Sequence, residues 1–198
     1  MRPNPAARPE YVDAFRQIAV RIETALAEVS PAVLPVRMYV AGGAALHFYT
    51  GERVSRDIDA VFSHLVALPE DLQVAYRDAD GAARLLYFDR QYNHTLSLMH
   101  EDAQQDSLSL ALPGVDTGRL DVRLLAPVDL AVSKFSRFST QDRSDLLSLA
   151  RHQQVRAAPL RLRAEEALAG YVGSVERIRG SIDIACRILD DRERSDRR

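Results

Sequence analysis

Residues 36–62 read VRMYVAGGAALHFYTGERVSRDIDAVF, and the fold turns on how this stretch is divided. Val36 to Val40 is a short apolar run with the composition of a strand. Ala41-Gly42-Gly43 forms the turn out of it, Ala44 to Tyr49 a helix closed by Gly51, and Arg53 to Phe62 a second strand. Side chains on a strand alternate faces, so Asp57 and Asp59 are expected to point the same way while Ile58 enters the core. Two carboxylates held that close repel each other, and a divalent cation between them is the simplest remedy. Mg²⁺, with Mn²⁺ as the alternative, suits a few carboxylates plus phosphate oxygens, so the expected ligand is a metal-bound nucleoside triphosphate.

Each of the other residues in this stretch has two readings. The absent side chains of Gly42 and Gly43 allow positive φ and a close approach of main-chain N–H groups to a phosphate, to which the following helix adds its N-terminal amides. The plainer reading is tight packing of strand against helix. Ser55 either caps the backbone or bonds a phosphate oxygen. Asp57 could instead lie at a turn with Arg56 as its surface partner, leaving only Asp59 inside.

Outward from this core, Pro9 to Ala27 carries Val12, Phe15, Ile18, Ala19, Ile22, Ala25 and Leu26 at helical spacing, which predicts an amphipathic helix. Ser30 to Pro35 is a Pro-punctuated turn, and Pro69 to Ala79 reads as a helix with Pro69 at its first position, ended by Asp80-Gly81. Leu85 to Phe88, His94 to His100, Ser107 to Leu112 and Arg119 to Leu125 read as strands. Asp121 shares a face of the last with Arg123 and Leu125. It either supplies a third carboxylate to a two-metal site or is ion-paired with Arg123 or another arginine.

From Pro127 onward the pattern is helical: Pro127 to Phe138, Thr140 to His152, Pro159 to Val172 and Ser174 to Leu189. The expected organisation is a mixed α/β core over residues 1–126, a helical region over 127–190 and a charged, disordered tail over 191–198.

Composition narrows the class. The chain has 198 residues, 46% hydrophobic and 27% charged, as expected of a soluble globular protein. A net charge of −2 excludes a strong global attraction to nucleic acid but allows a local basic face. No apolar run approaches the roughly 18 residues that span a bilayer. The N-terminal MRPNPAARPEY lacks the apolar stretch of a signal peptide, so the expected location is the cytoplasm. Cys186, alone of its kind, reads as a small core residue.

Among 26 basic residues there is a single lysine, Lys134. Arginine does not replace lysine where a compact point charge must meet a phosphate in a tight space, which singles Lys134 out. Lys134 and Arg137, three apart, share one side of the expected helix, and two cations there suit triphosphate binding. Ser139 with Asp142 resembles a capping box with Asp in place of Glu, and Asp145, one turn on, is placed to orient Lys134 or Arg137. His94 and His100 lack zinc-site spacing, and no P-loop, nucleophile elbow or dinucleotide fingerprint is present.

Two segments in this order, GGAALHFYTGERVSRDIDAVF and later LAPVDLAVSKFSRFSTQDRSDLLSLAR, resemble the nucleotidyltransferase superfamily, the DNA polymerase β-like minimal transferases. Within it they look like the AbiEii- or MenT-type toxins and their bacterial relatives. The resemblance implies an α+β fold with a mixed sheet flanked by helices. It further implies that Gly42, Gly43, Ser55, Asp57 and Asp59 bind the Mg-NTP, that Lys134 lies near the triphosphate, and that Asp142 and Asp145 form the downstream acidic motif.

The superfamily's Gly-Ser is Gly-Gly here, and the RDxxDL of relatives reads QDRSDL, with Gln141 for the arginine. The activity implied is metal-dependent transfer of a nucleoside monophosphate to an acceptor hydroxyl, on an RNA 3′ end such as that of tRNA or on a protein. By the same resemblance the chain would be the toxin partner of an antitoxin. The alternative is a nucleotide-binding or interaction module that keeps the fold without the chemistry.

Overall fold

The five residues Val36–Val40 form β1, with Val36, Met38, Tyr39 and Val40 buried, as a strand covered on both faces requires. The computed structural model describes residues 1–93 and 97–195, and these fall into two units. The first comprises Met1–Asn93 with Ser107–Leu125, the second His94–Asp106 with Ala126–Arg198.

In the first unit, α1 (Pro9–Ala25) buries Tyr11, Ala14, Phe15, Ile18, Ala19 and Ile22, one stripe at helical period. After β1 comes α2 (Gly42–Thr50), buried along nearly its whole length and ended by Gly51 in the left-handed conformation at φ 71°. The chain then passes through β2 (Asp57–Ile58), β3 (Ala60–Phe62), β4 (Gln73–Arg77), β5 (Ala83–Phe88), β6 (Leu108–Ser109) and β7 (Leu120–Leu124).

Two mixed sheets result, one in the order β3-β1-β7-β6 and one in the order β2-β5-β4. β1 runs parallel to β7 and antiparallel to β3, while β5 runs parallel to β2 and antiparallel to β4. The alternation expected along β7 is seen, with Leu120, Val122 and Leu124 buried and Asp121 and Arg123 partly exposed. The fold is thus α+β, with mixed sheets and flanking helices.

The second unit contains α3 (Pro127–Val132), α4 (Thr140–Arg151), α5 (Ala157–Leu168) and α6 (Val175–Ser195). Cys186 is buried in it and its thiol donates to the Ala157 carbonyl at 3.6 Å.

Several expectations are corrected. Residues 69–79 hold no helix: Gln73–Arg77 is a strand, joined to β5 across the Asp80-Gly81 turn as a hairpin. A β-branched and an aromatic residue on alternate positions, Val74 and Tyr76, flanking an Asp-Gly turn are the hairpin signal. The helix from Pro127 stops at Val132 and turns follow it, with Phe138 at φ 47°. Of the strand expected over His94–His100, His94 to Leu96 lie outside the described residues, and Ser97–His100 is irregular. Helix α6 continues through Ser195, so residues 191–195 of the expected disordered tail are helical. Their charges alternate in sign at helical spacing, as in the Asp191–Arg194 pair at 3.8 Å. Residues 196–198 lie outside the described residues.

In the second unit Asp129, in the first turn of α3, is fully shielded from solvent. Arg163 of α5 grips it with two hydrogen bonds, 2.7 and 3.0 Å, and also reaches Asp106 at 2.7 Å. Removing one partner of such a pair strands a buried charge. Arg163→Ala is therefore expected to lower stability by about 3 kcal/mol in urea unfolding. Arg161→Ala, which breaks the exposed pair with Asp183, should change it by less than about 0.5 kcal/mol.

Candidate functional site

The paired glycine and the acidic segment are in direct contact. α2 begins at Gly42, whose φ is 59°, and a Cβ there would lie 1.9 Å from Oδ2 of Asp59. A Cβ on Gly43 would lie 2.8 Å from the Ser55 Cβ and 2.9 Å from an Arg53 guanidinium nitrogen. Glycine is required at both positions, because any side chain would displace the residues facing it. At Gly42 the backbone conformation adds a second reason. The Asp59 carboxylate lies over the first turn of a nine-residue helix, where the dipole favours an anion.

The segment is not the single strand expected. Asp57–Ile58 pairs with β5, Ala60–Phe62 pairs with β1, and Asp59 is the residue at which the chain leaves one sheet for the other. Its carbonyl accepts from the Ala41 amide at 2.8 Å, and the Ile58 carbonyl accepts from Asp89 at 3.1 Å. Ile58 is fully buried, as alternation demanded, while Asp57 and Asp59 are partly exposed. The Ser55 hydroxyl donates to Oδ1 of Asp57, so Ser55 braces that carboxylate rather than the backbone. The structure thus gathers Gly42, Gly43, Ser55, Asp57 and Asp59 at the start of α2.

Asp121 does not join them. It is in register with Arg37 on β1, whereas Asp59 adjoins Ala41, four residues further along the extended chain and just past the end of β1. At the rise of a strand that is roughly 13 Å. Asp121 instead accepts from Arg123 at 2.8 Å and from Ser109 at 2.7 Å, the ion-pair reading of its sequence position. Among the described residues no group of three or more His, Cys, Asp or Glu side chains is arranged to hold a metal. Two carboxylates with a hydroxyl beside them remain an oxygen-only donor set, which fits a cation that takes its other ligands from phosphate and water.

Sequence reasoning missed the aromatic residues around this cluster. Tyr11 of α1 is fully buried, its ring edge-on to His47 at 4.8 Å. Burial first, then the charges of Tyr76, Asp57 and Asp59, push its hydroxyl far above the ordinary phenol range, with Arg53 opposing. Tyr92 is pushed up to about 12, chiefly by burial and then by Asp59. His47 accepts from the Arg8 amide at 3.0 Å, and burial foremost holds it down at about 4, hence neutral. The available signal was spacing: Tyr11 stands four residues before Phe15 and seven before Ile18, on the buried stripe.

In the second unit Lys134 follows α3 in a turn rather than on a helix. It is 8% exposed and donates to Asp145 at 2.6 Å, with Asp142 at 3.9 Å. Arg137 makes a two-pronged contact with Asp142, 2.9 and 3.0 Å, although its own side chain is largely exposed. The capping box forms as expected: Asp142 accepts from the Ser139 amide at 2.9 Å while the Ser139 hydroxyl accepts from the Asp142 amide. Gln141 donates to the other Asp145 oxygen at 2.8 Å. His100 lies 3.5 Å from Glu166.

A family model described as a nucleotidyltransferase of unknown function (DUF6036) matches residues 19–179. The chain belongs to that family, and so to the nucleotidyltransferases. No curated protein and no solved structure matches it.

The capping box gives a pH signature. Burial alone would raise the Asp142 carboxyl, but hydrogen bonds from Arg137 and Ser139 overcome it and hold the group at about 2. A carboxyl depressed in the folded state stabilises above its unfolded value near 3.8, and the gain is lost as pH falls toward 2. That difference is worth about 2 kcal/mol. Urea midpoints measured between pH 4 and pH 2 should fall less steeply in Asp142→Asn than in the wild type.

Proposed function

We propose that the protein transfers a nucleoside monophosphate from an NTP to an acceptor hydroxyl, using the cluster at the start of α2 to hold a divalent cation and the nucleotide. One observation carries this reading: Asp59 and Ser55 are packed against glycines that admit nothing larger, so the acidic segment is fixed at a helix N-terminus. Asp57, steadied by Ser55, and Asp59 would bind Mg²⁺ or Mn²⁺. Such an ion, when bound, neutralises charge on the triphosphate and orients it.

The acceptor oxygen attacks the α-phosphorus as the bond to the β-phosphate oxygen breaks. Pyrophosphate leaves with that electron pair, and the acceptor's proton passes to solvent. Lys134 and Arg137 enter through the family resemblance, as cations for the phosphates, with Asp142 and Asp145 as the carboxylates that hold them. Asp121 is left out, because Arg123 and Ser109 engage it away from the pair. The acceptor, an RNA end such as that of tRNA or a protein hydroxyl, and a toxin role with an antitoxin partner are carried by the resemblance to AbiEii- and MenT-type proteins.

The second reading is a nucleotide-binding or interaction module without turnover. The Lys134–Asp145 ion pair favours it, since this ammonium is already neutralised in the fold.

Incubation with each labelled NTP, Mg²⁺ and either total RNA or a protein extract separates the two. The enzyme is expected to label one acceptor pool, and Asp59→Ala to reduce labelling about a hundredfold or more. NTP binding with no label in either pool would establish the module. Among the described residues no helix is long and apolar enough to cross a membrane.

A further inference from the structure

Tyr11 occupies a position where its hydroxyl has a cost and no return within the fold. The residue is wholly enclosed, and its hydroxyl oxygen has no hydrogen-bond partner among the described residues. Burying a hydroxyl unpaired is unfavourable, and phenylalanine would fill the space without that penalty. The same layer uses phenylalanine where only bulk is required: Phe15 and Phe48 meet edge to face at 4.9 Å, and Phe48 is 6.2 Å from Tyr11.

The ring has little freedom to turn elsewhere. His47 stands edge-on at 4.8 Å and Tyr76 at 6.3 Å, so α2 and β4 confine it on two sides. The adjoining imidazole does not serve it, since His47 is engaged by the Arg8 amide and the Arg53 backbone. An orphaned hydroxyl on a ring so confined marks a place where the fold offers a hydrogen bond that it does not complete itself. What lies near is the acidic segment. α2 carries His47 and begins at the glycine against which Asp59 rests, and it packs on β2, where Asp57 stands. Both carboxylates bear electrostatically on the Tyr11 hydroxyl.

We infer that Tyr11 is a positioning residue for the acidic pair: its hydroxyl donates, directly or through one enclosed water, to the carboxylate of Asp57 or Asp59 when a divalent cation engages them. A phenol holds its proton at neutral pH and so is a donor, and a carboxylate drawn toward a cation needs a second hydrogen bond to fix its remaining oxygen. Tyr11 precedes residues 19–179, the part of the chain matched by the family model. The inference rests on the reading of Asp57 and Asp59 as the cation site.

Its test is direct Mn²⁺ binding followed by electron paramagnetic resonance, in the presence of NTP, with urea unfolding of the cation-free protein alongside. Tyr11→Phe removes one oxygen and is expected to unfold at the same or a higher urea concentration, yet to bind Mn²⁺ about tenfold more weakly. Tyr76→Phe, from the same layer, should bind as the wild type does. Unchanged Mn²⁺ affinity in Tyr11→Phe would overturn the positioning role alone. So would a lowered urea midpoint, since it would show that the hydroxyl is already satisfied within the fold. A wild-type protein that binds no Mn²⁺ would remove the cation site itself, and Tyr11's role with it.

Discussion

The contact between the paired glycine and the acidic segment governs the arrangement of the first unit. A helix that starts at Gly42 with positive φ lets the Asp59 carboxylate come against its first turn, closer than any side chain would permit. The same contact explains why the strand pairing breaks at Asp59. Residues 57–58 pair with β5 and residues 60–62 with β1, so Asp59 is the point of transfer, its carbonyl still held by the Ala41 amide while its side chain packs on Gly42. A carboxylate over a helix N-terminus is electrostatically favoured, which offsets part of the cost of crowding it there.

The second unit solves a different electrostatic problem. Its buried lysine is held by Asp145, and Asp142 is shared between the start of α4, Arg137 and the more distant ammonium. Gln141 contributes to the shape of this network without adding charge, because its amide satisfies one Asp145 oxygen and leaves the other to Lys134. An arginine at 141 would bring a second full charge to the same carboxylate. With glutamine there, Lys134 is the cation that Asp145 binds at 2.6 Å.

Much of this was legible because it depends on local chemistry. The β1 run, the left-handed glycine ending α2, the alternation along β7 and the Ser139–Asp142 capping box each follow from a few adjacent residues. What failed depended on partners distant in sequence. The 53–62 stretch reads as one strand, since nothing local shows that its halves pair in different sheets. Gln73–Arg77 reads as helix through Pro69, whereas β5 supplies the antiparallel partner that makes it a strand. Asp121 looked free to join the pair because sequence gives its face but not its register, and register places it beside Arg37. Tyr11 escaped notice because a tyrosine on an apolar stripe reads as core, and only coordinates reveal that its hydroxyl is left without a partner.

The uncompensated features of the first unit bear on whether it is more than a scaffold. A glycine fixed at positive φ, a carboxylate packed on it so closely that no side chain is admitted, and a buried phenol without a hydrogen-bond partner are features that stability alone does not call for. The first two meet at the first turn of α2, and the third packs on His47 of the same helix. Such features grouped on one helix and the segment facing it are the pattern of a site arranged for a ligand. An inert module would be relieved of these features by an ordinary residue at each position, a phenylalanine at 11 above all. The grouping therefore weighs toward nucleotide chemistry at Asp57 and Asp59, and against a framework retained for shape.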